Sequence, residues 1–244
     1  MFVRILAVLV TLAVLGPAPA GADVLITRKS MKLNPTAPNQ PGPEQSSSTW
    51  VGQGKLSQRS GHVSMIVALD AKKIYVVDHG EQSYSALDLP IDFSAFSPEA
   101  AQMIEQYMDQ MKLEVSVTPT DEKQTVAGYP CTKYLMDLQN AMGLRMNITL
   151  WITTELGIDV GDWKKMTVEM AGLQPGAASL AEKMMAIEGF PVSQESKVSM
   201  MGNEMVTREE LVSIEEKEPP AGIYTPPEGY TLKPFNPLDG MAGR

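Results

Sequence analysis

The chain has 244 residues, a formal net charge of −9 and a single cysteine, Cys131. The acidic balance argues against a nucleic-acid partner, which needs a basic surface to displace counterions, and against docking on anionic lipid by charge. One thiol cannot close an intramolecular disulfide, so the fold rests on its core, and Cys131 reads as a small buried apolar residue.

The amino terminus has the order of parts of a cleavable secretory signal peptide, residues 1–22. Arg4 precedes an apolar run over 5–15 that only Thr11 interrupts, Gly16 and Pro17 break it, and small residues follow to Ala22. Two small-x-small sites compete, ending at Ala20 and Ala22. Cleavage between Ala22 and Asp23 is preferred because Asp23 opens the polar start of a strand. The run is shorter than the ~20 residues of a membrane-spanning helix, and no later segment approaches that length. No cysteine sits near the cleavage site for lipid attachment. The expectation is an exported, soluble, periplasmic or secreted protein with neither lipid anchor nor integral membrane segment. Residues 23–233 read as a single domain and 234–244 as a flexible tail.

A first strand is predicted over 24–33. Residues 34–48 hold Pro35, Pro38, Pro41 and Pro43 and then three serines, the composition of a Pro/Ser-rich mobile loop. Strands are predicted over 49–58, 63–69, 73–78 and 82–88, the last pair joined by a turn at His79-Gly80-Glu81. Ser97 and Pro98 then open a helix whose Ala100, Met103, Ile104, Tyr107, Met108 and Met111 share one stripe. A strand over 113–117 is ended by Pro119. Strands over 128–138 and 144–152 flank a turn at 140–143, and the second alternates most regularly. Two helices, 161–172 and 177–188, precede a hairpin, 192–201 and 204–217, with Gly202-Asn203 at its turn. The segment from Pro219 reads as extended over the surface. Hairpin-linked strands with segregated helices predict an α+β domain. Its curved antiparallel β-sheet, a half-barrel, carries helices packed on the concave face.

Several stretches also resemble a known family. They are Lys73-Ile74-Tyr75-Val76-Val77-Asp78 with Tyr84, residues 126–134 around Gly128-Tyr129-Pro130-Cys131, residues 150–158 from Leu150-Trp151, and Tyr224 to Tyr230. Together they resemble the exported bacterial family of unknown function DUF4412. The resemblance implies the curved half-barrel of periplasmic lipoprotein carriers. That family's functional residues are undefined, so it assigns no site; residues 34–48 depart from it as an insertion.

The inventory for catalysis is thin. No Gly-x-Ser-x-Gly elbow or His-Glu-x-x-His pair occurs, and Gly52-Gln53-Gly54-Lys55 lacks the spacing of a phosphate loop and reads as strand. His62, His79 and Cys131 lie in separate elements without zinc-ligand spacing, His79 in an exposed turn. Glu209, Glu210, Glu215, Glu216 and Glu218 read as the solvated face of an edge hairpin. The expectation is no enzyme, no cofactor and no metal. Methionine is abundant, 17 residues, and flexible Met-rich faces adapt to apolar ligands. The leading reading is a non-enzymatic envelope protein that binds a lipid or acyl chain, with Met103, Ile104, Met108, Met111 and Trp151 lining the site. One alternative is a structural or protein-interaction module with a filled core. Another is Cu(I) binding by Met142 with Met146, Met166 with Met170, or Met200, Met201 and Met205.

Overall fold

The structure, a computed structural model, describes residues 22–34, 37–91, 110, 112–172, 177–200 and 203–235. The signal segment, the helix expected from Ser97 and the chain beyond residue 235 lie outside the described residues. The strands are β1 (Asp23–Asn34), β2 (Ala37–Gly52), β3 (Lys55–Ser60), β4 (Val63–Ala68), β5 (Lys73–Asp78), β6 (Ser83–Asp88), β7 (Glu114–Val126), β8 (Tyr129–Gln139), β9 (Arg145–Thr153), β10 (Phe190–Met200), β11 (Asn203–Lys217) and β12 (Thr231–Leu232). Two helices, α1 (Gly161–Gly172) and α2 (Ala178–Ala186), stand between β9 and β10.

All twelve strands belong to one open, curved sheet of order β12-β6-β5-β4-β3-β2-β1-β11-β10-β9-β8-β7. Two antiparallel meanders, β1 to β6 and β7 to β11, are joined where β1 pairs with β11, Ile26 opposite Ile214. Register shifts at Thr27/Arg28, Pro119/Lys123 and Pro191/Ser193 mark bulges, which bend strands and raise their twist. The protein is thus mostly β with two short helices among the described residues, which meets the α+β expectation only coarsely.

Four sequence expectations are corrected. The expected loop at 34–48 is strand: β2 begins at Ala37 and pairs with β1 as far as Asn34. Pro38, Pro41 and Pro43 are tolerated because β3 pairs with β2 only from Ser47 onward, so residues 37–46 have, among the described residues, a partner on one side alone. Proline lacks the amide hydrogen, and a strand with a free side can spare it. The expected strand 49–58 is two strands folded at Gln53-Gly54, with Gly54 at φ 68°. Strand β7 runs through Pro119 at a bulge, for it too is an edge. Strand β11, expected at an edge, is central between β1 and β10, where Glu210 pairs with Lys29 at 3.4 Å.

Alternation sorts the β1–β6 half into two buried faces. On one, Val24, Val51, Leu56, Val67 and Ile74 lie in a single cross-strand row, all buried, with Met166 and Met170 of α1 packed against them. On the other, Trp50, Ser57 and Ile66 form one buried row and Ser64 and Val77 the next.

The C-terminal segment from Pro219 joins the two ends of that second face. Tyr224 donates its phenol hydrogen to Asp23 of β1 at 2.5 Å. Six residues on, the Tyr230 hydroxyl meets His79 Nδ1 at 3.1 Å, and His79 Nε2 meets the Ser64 hydroxyl at 2.8 Å. β12 then pairs in parallel with β6. Four strand spacings of ~4.8 Å separate β1 from β5, and the segment crosses between them as a strap built of turns, with the Thr225 amide donating to the Gly222 carbonyl at 3.1 Å and the Tyr230 amide to the Pro227 carbonyl at 3.4 Å.

Arg28 fixes the seam between the halves. Its guanidinium is buried, lies 5.0 Å from the Phe190 ring centroid and donates to the Pro191 carbonyl at 2.7 Å. Phe190 is fully buried and meets Trp163 of α1 at 4.7 Å between ring centroids.

Candidate site: an apolar cavity between the sheet and its helices

Leu150 and Ile152 alternate with Trp151 and Thr153 along β9, and the register carries that alternation to β8 and β10. Met136 and Leu138 of β8 therefore share a face with Met146, Ile148, Leu150 and Ile152 of β9. The helices pack over this face, with Leu180, Met184 and Ile187 against Met136, Leu138, Leu150 and Ile152, and between helices and sheet lies a cavity of about 390 Å³. Val168 of α1, Leu180 and Met184 of α2, then Ile187, close its helical side, and Leu113 before β7 closes one end.

Helix α1 divides the cavity from the core. Asp159 accepts the Gly161 amide at 2.8 Å ahead of its first turn. Met166 and Met170, four residues apart, enter the β1–β6 core, whereas Lys164, Thr167 and Val168 line the cavity. Trp163 touches both. This split follows from helical spacing, which puts positions three and four apart on one stripe. Helix α2 has no side-chain N-cap bond, and turns Leu180 and Met184 inward while Met185 stays 57% exposed.

Three polar side chains enter the lining. Thr167 is satisfied within α1 by the Trp163 carbonyl at 2.8 Å, and Gln194 by the Ser196 hydroxyl at 2.9 Å. Lys164 donates to the Ile187 carbonyl at 2.5 Å, just past the last turn of α2, where a cation suits the helix dipole. Gly189 also lines the cavity, at φ 99°. A Cβ there would sit 2.4 Å from the Thr153 carbonyl oxygen, so only glycine lets the chain turn from α2 into β10.

The residues expected to line a site fall differently. Met103, Ile104, Met108 and Met111 lie outside the described residues. Trp151 is on the opposite face, in an open groove of about 370 Å³ beside Lys133, Thr149, Ser193 and Arg208. Met136, Met146 and Met184 line the cavity instead. Lys164 and Gly189 were missed. The glycine between a helix end and a strand was the available signal for one; no pattern marked the lysine.

The remaining chemical groups have structural partners. His79 is in a turn, as expected, but half-buried under Tyr230, with ring centroids 5.8 Å apart. Burial, aided by Arg59, holds its imidazole below the usual range, against the opposing pull of Asp78. Burial and the Asp23 hydrogen bond push the Tyr224 phenol far above its ordinary value. Cys131 is buried as expected, and burial pushes its thiol up, away from the nucleophilic thiolate. Among the described residues no three His, Cys, Asp or Glu side chains converge as metal ligands. Met166 is fully buried in the core and Met205 is 47% exposed, while the side chains of Met200 and Met201 lie outside the description. No helix among the described residues is long and apolar enough to cross a membrane.

No curated protein matches the chain. Among solved structures, PNGF-II is 10% identical with a TM-score of 0.44, over 90% of this chain and 33% of that one. MucB, in a Pseudomonas aeruginosa MucA/MucB complex, is 10% identical with a TM-score of 0.31, over 83% and 54%. A putative outer membrane lipoprotein-sorting protein domain from Vibrio parahaemolyticus is 7% identical with a TM-score of 0.28, over 80% and 85%. The chain spans from 33% to 60% of the length of the first three structures it matches. The family described as Domain of unknown function (DUF4412) matches residues 47–230, from the β2–β3 pairing to Tyr230 of the strap. That span takes in every stretch on which the sequence resemblance rested, and the chain belongs to the DUF4412 family.

Proposed function

We propose that the protein is an exported, non-enzymatic binding protein of the periplasm that shelters an apolar ligand, a lipid or acyl chain, between its curved sheet and its helices. The observation that carries the reading is the cavity. Its volume of about 390 Å³ falls in the range of small-ligand sites, ~300–1,000 Å³, and aliphatic and methionine side chains form most of its wall. Methionine walls adapt to chains of varied shape. The helices cover the concave side of the sheet, and the leader is removed between Ala22 and Asp23. The test is native mass spectrometry and lipid extraction of the exported protein, with uptake of a fluorescent fatty acid by the purified chain. A bound acyl species is expected, and Ile148→Trp, which fills the cavity, abolishes uptake while the protein stays folded. A protein that carries nothing and takes up nothing sinks the reading. The alternative, an interaction module with a filled core, draws on the β1–β6 half, which is buried on both faces. It predicts no uptake.

A further inference from the structure

Resting on that reading, we infer that the cavity selects a single-chain amphiphile with an anionic head, and that Lys164 is the residue that holds the head. Lys164 is the one ionisable side chain in the cavity wall among the described residues, and no carboxylate accompanies it there. It forms no ion pair among the described residues. Its ammonium uses one donor on the Ile187 carbonyl, leaving two of three for another acceptor. That bond ties it to the chain just past α2, so the charge is held in place and not swung away on a free stem. Its neighbours in the wall, Thr167 and Gln194, add the only other polar side chains among the described residues, and the rest is apolar. A wall of this kind fits a hydrocarbon tail that ends in negative charge.

Volume sets the tail. At about 30 Å³ for each water-sized unit, the cavity of about 390 Å³ holds about a dozen such units, one medium acyl chain and not the several chains of a diacyl or triacyl lipid. A carboxylate and a phosphate monoester share the charge that Lys164 recognises, and a lysine discriminates between them weakly because it acts as a point charge.

The test uses the full exported chain, loaded with a fluorescent fatty acid. The competitors, all below their micelle concentrations, are dodecanoic acid, dodecyl phosphate and dodecanol. The two anions are expected to displace the probe about tenfold better than the alcohol, each tenfold being one unit in log Kd. In Lys164→Gln all three competitors fall to the level of the alcohol, and Lys164→Arg restores the preference. The better of the two anions identifies the head group. Equal displacement by acid and alcohol, or a preference that survives Lys164→Gln, overturns the inference and leaves the apolar-ligand reading standing. A Lys164→Gln protein that is less stable but keeps its preference shows that the lysine serves only to close α2. Failure of the probe and of all three competitors to bind overturns both.

Discussion

The two halves of the sheet use the same strand chemistry to opposite ends. In β1–β6, buried rows occur on both faces, an apolar one under α1 and, on the side crossed by the strap between Tyr224 and Tyr230, rows that mix apolar residues with Ser57 and Ser64. In β7–β11 one face is apolar and the other is mixed, with Cys131 buried and Trp151 half-buried. The mixed face also carries solvated charge, with Arg208 on Glu195 at 2.6 Å and Lys133 on Glu122 at 3.0 Å. The apolar face of this second half is roofed with a cavity left beneath, because α1 sends its methionines into the neighbouring core and turns Trp163, Lys164, Thr167 and Val168 toward the cavity. A sheet sealed on both sides spends its apolar residues on stability. A sheet sealed loosely on one side leaves some of them lining open space.

The same substitution in each half tests that contrast most strongly. Ile74→Ala removes a side chain that is 5% exposed in close packing and is expected to cost about 4 kcal/mol. Ile148→Ala removes one from a wall that already borders empty space, so it leaves less new cavity and is expected to cost about 1–2 kcal/mol. Urea unfolding of both variants measures the difference, and equal losses would break the comparison.

A smaller effect probes the strap. Tyr224→Phe deletes the bond to Asp23 and is expected to lower stability by about 1 kcal/mol. Amide exchange should rise in β1 to β6 and leave β8 and β9 unchanged; exchange that rises evenly over both halves would show that the strap does not act on one half alone.

The smallest is a pH effect at His79. Burial lowers its folded pKa, so the folded state holds it neutral while the unfolded chain protonates near pH 6.5. Its contribution is therefore complete above that value and is lost as pH falls below it. Thermal melts between pH 8 and pH 5 should show this dependence, and His79→Gln should flatten it. A wild-type profile that matches the variant would show that His79 does not help hold the strap.

Local features were legible because their signals span few residues. The helix expected over 161–172 is α1, and the alternation of 144–152 gave β9 to within a residue. The burial of Cys131 followed from residue type. The proline-rich segment was misread because a window of sequence shows missing donors but not which side of the strand lacks a neighbour. Trp151 was placed on its strand but not on the correct side of the sheet relative to the helices.

The sequence alone determined most strands and hairpin turns, though not β2, the β2–β3 turn or the length of β7, together with the two short helices and a chain stapled by no disulfide. These depend on period, turn residues and cysteine count, all local. The tertiary structure decided where the strap lands, with Tyr230 meeting His79 across 151 positions, and that β1 closes on β11. It also decided that Lys164, unremarkable in its helix, is the one charged side chain in the cavity wall among the described residues. Such pairings are chosen by the free energy of covering whole faces of the sheet, a quantity that exists only once distant segments have met.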